Sequence, residues 1–356
     1  MDVQPTDSRL RLLLLLIGCA GAAVLTALLV LWLGSLDTEG RHGVFRFQEG
    51  AWERFPGLAG QPQQVGVSES GRVWVLTEFR SGLSRLEGGR WRFYGSSETG
   101  AANYAPSGFV IDGDAIWAPG RESVAHSDGQ RWRHAGIKDV VSLVAFGGQA
   151  WVLDVNGSLS QFDGRRWSTP MATVASQDWG SRAARFARLA RAADGTLWLV
   201  WHRFWRFNGT AWLDESGIDK PAWPDFLGVA RGRLWLSEAG VLRSLPSAGS
   251  GARFPAGVRP TSVAASGGSL WIATSAGLFR SDGEELRRLP GPQTRATRIE
   301  SIAAAPDGAI WVVAETDPPG PRHFVLPVIG FAVWAAVLWI MIAALRRSLR
   351  PNSLTA

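Results

Sequence analysis

Between residues 43 and 316 the chain alternates short apolar runs with glycine turns, and one arrangement recurs. Seven tryptophans, Trp74, Trp117, Trp151, Trp198, Trp235, Trp271 and Trp311, each follow a small turn and sit in an apolar run. Their spacings are 43, 34, 47, 37, 36 and 40 residues. SGRVWVLT (70–77), ADGTLWLVW (193–201), GGSLWIAT (267–274) and PDGAIWVVA (306–314) show the form. Short segments rich in Val, Ile, Leu, Thr and Trp around a Gly turn predict hairpins. The strand upstream of each turn carries small residues, as in Ser301-Ile302-Ala303-Ala304-Ala305 and Ser262-Val263-Ala264-Ala265, which suits a strand crowded near an axis.

A second tryptophan follows the first by 14 to 17 residues in four units: Trp91, Trp132, Trp167 and Trp212. Each comes after another turn, in EGGRW (87–91), DGQRW (128–132), DGRRW (163–167) and NGTAW (208–212). Asp-Gly and Asn-Gly tolerate positive φ and favour two-residue hairpins. In the fifth and sixth units Phe254 and Leu289 replace the second Trp. Four antiparallel strands in units of about 40 residues define a propeller blade. The seventh unit lacks its second half after Trp311. GVFRFQEGAWERF (43–55) supplies the missing hairpin, with Trp52 in the second-Trp position. The expectation is an all-β, seven-bladed β-propeller over 43–316, its split blade built from 43–55 plus 299–315.

Two uncharged apolar runs flank this region, Leu12 to Leu33 and Phe324 to Leu345, of 22 residues each. As helices they reach roughly 33 Å, enough for a hydrocarbon core of about 30 Å. Both are read as transmembrane α-helices. Arg9 and Arg11 precede the first, and Arg346, Arg347 and Arg350 follow the second. Positive flanks face the cytoplasm, so the tails 1–11 and 346–356 are assigned to that side of a bacterial inner membrane. The propeller is then extracytoplasmic. Leu16-Ile17-Gly18-Cys19 also fits a lipoprotein lipobox, although the apolar run continues well past Cys19. A cleaved signal peptide has a shorter apolar core.

GSLWIATSAGLFRSDG (268–283), with PDGAIWVVA (306–314), resembles the propeller repeats of bacterial two-component regulators. The resemblance covers most of 43–316 and is strong in units one, four, six and seven. It implies an extracytoplasmic sensor propeller. Family members often continue into a histidine kinase, whereas this chain ends eleven residues after the second run. Signalling or scaffolding is therefore expected through a separate partner.

Of the 19 tryptophans, twelve mark repeat positions, and Trp32, Trp334 and Trp339 belong to the apolar runs. Four remain: Trp179, Trp201, Trp205 and Trp223. A blade split between its second and third strands sends both membrane linkers out on the face carrying the second-to-third and blade-to-blade loops. Trp179 and Trp223 lie in the longest blade-to-blade segments, 168–186 and 213–225. Trp201, His202 and Arg203 lie near a second-to-third loop, and Phe79, Arg80, Arg182 and Arg185 belong to comparable loops. Aromatic and Arg side chains on propeller loops suit a ligand or partner surface. For Trp201 and Trp205 the competing reading is packing within the fourth blade.

Composition narrows the chemistry. A single Cys excludes an intrachain disulfide framework and a Cys-rich zinc site, and the five His residues show no HxxxH spacing. Asp128, Asp163, Asp194, Asp282 and Asp307 all stand beside Gly in turns, which explains them structurally. No nucleophile elbow or paired-carboxylate motif occurs, and no cofactor or metal is expected. The net charge of +6 is carried almost wholly by Arg. Outside the cytoplasm it favours anionic lipid headgroups or an acidic partner over nucleic acid. Two function classes remain: a membrane-anchored binding module, or a propeller lyase or hydrolase acting on an envelope carbohydrate or peptide.

Overall fold

The computed structural model describes residues 42–77, 82–99, 108–120, 122–129, 131–168, 172–173, 187–192, 195–201, 204–215, 225–238, 240–245, 252–282, 285–292 and 297–316. The apolar runs 12–33 and 324–345 lie outside them. Among the described residues no helix is long and apolar enough to cross a membrane. These residues form seven antiparallel sheets, the blades of an all-β propeller. Strands within a blade are lettered a to d from the axis outward.

Blade 1 shows the plan: a, Pro62–Val67; b, Val73–Thr77; c, Gly82–Glu87; d, Arg90–Tyr94, paired in that order. Every residue of strand b is buried, because both of its faces are covered by neighbouring blades. Strand d alternates exposed and partly buried positions, as a rim strand must. The hairpins are tight because their turns take positive φ at both central positions. Gly147-Gly148 (61°, 75°) and Gly267-Gly268 (56°, 74°) do so, as does Arg231-Gly232 (52°, 69°).

Six blades are four-stranded sheets and the fifth has three strands, Asp225–Ala230, Arg233–Glu238 and Val241–Leu245. Its fourth strand shrinks to a bridge between Val241 and Arg253. Phe254 still fills the second-Trp position: it is buried and packs edge-on against Phe279 at 5.8 Å. In blade 3, Trp167 likewise makes only a bridge to Phe162.

The seventh sheet joins the two ends of the region. Thr297–Ala304 and Ile310–Thr316 form strands a and b, and His42–Gln48 and Ala51–Phe55 form c and d. Val44 pairs with Val313 and Phe45 with Val312. The salt bridge from Arg46 to Asp307 (2.8 Å) spans 261 residues of sequence.

The core is divided among the blade interfaces. Seven apolar clusters each draw on two neighbouring blades, including blades 7 and 1, so the packing runs unbroken round the ring. Tryptophans carry much of it. The strand-b Trp74 meets Trp132 of the next blade edge-on at 6.2 Å, and Trp117 meets Trp167 in the same way at 6.1 Å. Trp52 instead donates from Nε1 to the carbonyl of Pro290, in blade 6, at 2.8 Å.

A cation completes this arrangement within the blade. Each strand-b Trp stands opposite one residue of strand c, and in four blades that residue is Arg: Arg85, Arg206, Arg280 and Arg46. Three of these guanidiniums lie 5.5 to 6.0 Å from the indole centroid, a geometry worth about 0.5–1 kcal/mol each. All four Arg also pair with a carboxylate: Glu87, Glu215, Asp282 and Asp307. In blade 2 His126 stacks on Trp117 at 3.9 Å instead, and burial lowers its pKa.

The repeat motif GLxR thereby acquires a physical reading at each position. In Gly82-Leu83-Ser84-Arg85 and Gly277-Leu278-Phe279-Arg280, the Leu is wholly buried and the Arg covers the Trp. At Gly82 a Cβ would stand 2.8 Å from the carbonyl of Tyr94, so only glycine lets strand d come so close. The turn carboxylates are structural as well. Asp163 accepts from the amides of Arg165 and Arg166, and Asp128 from that of Arg131. Asp307 adds the amide of Ala309 to its Arg46 bridge.

Candidate functional site at the mouth of the central channel

Antiparallel alternation sets the start of strand a, the end of b, the start of c and the end of d at one end of the ring. At that end the inner strands enclose a cavity of about 950 Å³ on the propeller axis. All seven blades contribute to it, so the cavity is the upper part of the central channel.

Small polar side chains tie the wall together. Ser301 of blade 7 accepts from the amide of Val65 in blade 1 at 3.2 Å, and Ser142 of blade 3 from that of Leu189 in blade 4 at 2.8 Å. Gln64 bonds Phe109 of blade 2 twice, donating to its carbonyl and accepting from its amide, at 2.8 and 2.9 Å. The Gln64 amide fills the space a Cβ would need at Gly108, whose φ is +73°. Thr261 donates to the carbonyl of Ile299 at 2.6 Å. Irregular register in strand a of five blades, for example between Val140 and Ser142 and between Ile299 and Ser301, re-aims side chains at this level.

Among the described residues, two charged groups share the cavity wall. Arg188 opens strand a of blade 4 and donates to the carbonyl of Ala187 at 2.9 Å. Burial lowers its pKa, so the guanidinium is held partly dehydrated. Glu300 stands in blade 7 and lies 3.9 Å from Arg298. At the end of strand b in blade 1, the Thr77 hydroxyl is buried on the same wall, and among the described residues it meets no hydrogen-bond partner. Buried hydroxyls normally find one.

Of the residues singled out from the sequence, the structure describes Trp201. It directly follows strand b of blade 4, at the channel-mouth end, and is 4% exposed. It packs with Leu199, Trp205 and Leu153 between blades 3 and 4. Trp205 is also buried, in strand c. Phe79, Arg80, Trp179, Arg182, Arg185, His202, Arg203 and Trp223 lie outside the described residues. Arg188, Glu300 and Thr77 escaped the sequence reading. Their signal is positional: Arg188 stands ten residues before Trp198, as Gln64 does before Trp74 and Ser301 before Trp311. Among the described residues no group of three or more His, Cys, Asp or Glu could hold a metal ion.

No protein-family model matches the chain, and no curated protein matches it. Solved structures do, at the level of the fold. Virginiamycin B lyase from Staphylococcus aureus, solved with quinupristin, superposes with a TM-score of 0.56 at 14% identity, covering 78% of this chain and 99% of that one. YCF48 bound to D1 peptide gives 0.53 at 16% identity, over 78% and 97%. The extracellular domain of a hybrid two-component system from B. thetaiotaomicron gives 0.52 at 16% identity, covering 72% of this chain and 37% of that one. The class is thus a seven-bladed β-propeller whose structural neighbours include the extracellular part of a two-component protein. At these identities the likeness shows the fold alone.

Proposed function

We propose that the chain is a membrane-anchored, extracytoplasmic binding module that senses a ligand or holds a protein and acts through a separate partner. The channel-mouth cavity carries this reading. It is large enough for a small-molecule site, and such sites occupy about 300–1,000 Å³. Its wall also carries the buried Thr77 hydroxyl, which meets no hydrogen-bond partner among the described residues. The described strands that flank the segments bearing Trp179, Trp223, His202 and Arg203 begin or end at this side of the ring. Among the structural neighbours, one is solved with D1 peptide and another is the extracellular domain of a sensor system, and both support a binding role by analogy.

The test is capture by the purified full chain from an envelope extract, wild type against a Trp179→Ala, Trp223→Ala double variant. Loss of the same captured species in the variant is expected. Unchanged capture of every species would reject the loop assignment. The neighbouring lyase gives the alternative its content: a propeller lyase or hydrolase acting on an envelope carbohydrate or peptide. Turnover on a substrate panel, abolished by His202→Ala or Arg203→Ala, would replace the binding reading with that one.

A further inference from the structure

One position of strand c stands opposite each strand-b tryptophan, and it can be followed round all seven blades. Blades 1, 4, 6 and 7 place Arg85, Arg206, Arg280 and Arg46 there, each paired with a carboxylate. Blades 3 and 5 place the neutral Gln161 and Ser244 there, opposite Trp151 and Trp235. Blade 2 has the one residue of the seven that titrates near neutral pH, His126 opposite Trp117. Asp128 follows it by two residues, as Glu87 follows Arg85 and Asp282 follows Arg280. The blade therefore keeps the plan of the Trp–cation–carboxylate stack but exchanges the permanent cation for one that a proton switches on.

Its geometry differs from that of the arginine stacks. In blades 1, 6 and 7 the guanidiniums stand 5.5 to 6.0 Å from their indole centroids, whereas the imidazole lies nearly flat on Trp117, at 3.9 Å and 15°. Phe162 of blade 3 comes to 6.3 Å from it, so His126 sits in the seam between blades 2 and 3. Among the described residues no hydrogen bond joins it to a carboxylate. Asp128 accepts from the amide of Arg131, and Asp112 accepts from the amides of Gly147 and Gly148 across the seam. The charges acting on the imidazole belong to blade 2: Asp128 and Asp112 favour its protonation, and Arg133, opposite it on strand d, opposes it. Blade 3 presents the ring of Phe162, and Asp163 beside that ring accepts from the amides of Arg165 and Arg166. Burial is the largest influence and lowers the His126 pKa. An imidazolium here is a half-buried cation with no bonded carboxylate, and one tryptophan face does not offset that. We propose that this seam is a proton-operated contact: neutral His126, stacked on Trp117, closes blades 2 and 3 against each other, and its protonation in a mildly acid medium loosens them. Val110 and Leu143 of the same seam line the channel mouth, so the loosening reaches the cavity wall. The switch belongs to the ring itself and does not depend on a bound ligand.

With the folded pKa below the ordinary 6.5, the stability carried by neutral His126 is complete above that value and is lost as pH falls from there toward the folded value. The measurement is Tm of the purified full chain by circular dichroism, from about pH 7.5 to about pH 5, for wild type beside His126→Gln. Carboxylates and the other four histidines titrate in both proteins, so the gap between the two curves isolates position 126. Over this range wild type should lose at least ~1 °C relative to His126→Gln. Hydrogen exchange read by mass spectrometry places the change and needs no variant. At about pH 5, after correction for intrinsic exchange, Ala115–Pro119 and Gln149–Asp154 of wild type should lose ~3-fold or more of their protection. Ser269–Thr274 and Ile310–Thr316, which flank the seam closed by Arg280, should keep theirs. A Tm gap that does not move with pH, a gap that moves in favour of wild type on acidification, or equal loss of protection at both seams overturns the proposal.

Discussion

If the blade interfaces are held by tryptophan pairs, Trp74 and Trp132 should be energetically coupled although they belong to different blades. Trp74 is 2% exposed and touches Trp132 edge-on at 6.2 Å and Tyr94 at 5.4 Å, with Arg85 5.5 Å from its centroid. Removing a fully buried Trp side chain costs about 3–5 kcal/mol. Trp132 is half-buried, so its removal should cost roughly half as much on the same scale. An edge-to-face pair adds about 0.5–1.5 kcal/mol beyond area burial. The double variant Trp74→Ala, Trp132→Ala should therefore be less destabilised than the sum of the singles by about that coupling. Near 2 °C per kcal/mol for a domain of this size, Trp74→Ala alone lowers Tm by about 6–10 °C, and the coupling appears as about 1–3 °C. Thermal unfolding of the full chain followed by circular dichroism reads all four corners of the cycle. Trp74→Ala with Trp212→Ala is the control, because Trp212 packs in a different cluster, between blades 3 and 4, and should add independently. Additive behaviour in the first pair, or equal coupling in the control, would refute interface-by-interface cohesion.

Other outcomes follow from single residues. Ser301→Ala leaves the buried amide of Val65 without its acceptor and should cost about 1–3 kcal/mol, measured by urea unfolding. Gly82→Ala drives a Cβ against strand d and should cost roughly 1–3 kcal/mol in the same assay. Hydrogen bonds from Ser70 and Ser68 hold the Asp114 carboxyl at about 2, against an ordinary 3.8. A depressed folded pKa adds stability above the ordinary value that is lost as pH falls toward 2. Asp114→Asn should thus be less stable than wild type at neutral pH, with the gap closing between pH 4 and 2 in acid titration of Tm. Deleting residues 1–55 uncovers the edge of Ile310–Thr316, and size-exclusion chromatography should show association through it.

The blade plan was legible because a large, rarely used side chain marks strand b in every unit, and Asp-Gly or Gly-Gly marks the turns beside it. Legibility fell where those marks fall away. With Phe254 for Trp, and Pro255 directly after it lacking an amide, the last strand of blade 5 is reduced to a bridge. For Trp201 the sequence offered loop surface or packing, and the structure places it among Leu199, Trp205 and Leu153. The Trp–Arg–carboxylate stacks were hidden because the Arg stands eight to eleven residues from its Trp in blades 1, 4 and 6, and at the opposite end of the region in blade 7. Arg188 was hidden for a different reason. In Ala187-Arg188-Leu189-Ala190-Arg191 the charges stand three residues apart, a spacing that assigns neither Arg to one face of a strand, and only the closed ring places Arg188 on the channel wall.

The split seventh blade also sets a timetable. Strands 42–48 and 51–55 leave the ribosome first, yet their partners arrive last; Arg46 waits 261 residues for Asp307. At about 5–20 residues per second that is an interval of roughly 13–50 s. Throughout it a hairpin rich in Phe and Trp has an open edge and no sheet to join. The same pairing that removes every seam from the finished ring makes biogenesis an all-or-nothing event: a chain stopped short of residue 310 leaves its first hairpin unmatched, ready for a chaperone or a protease.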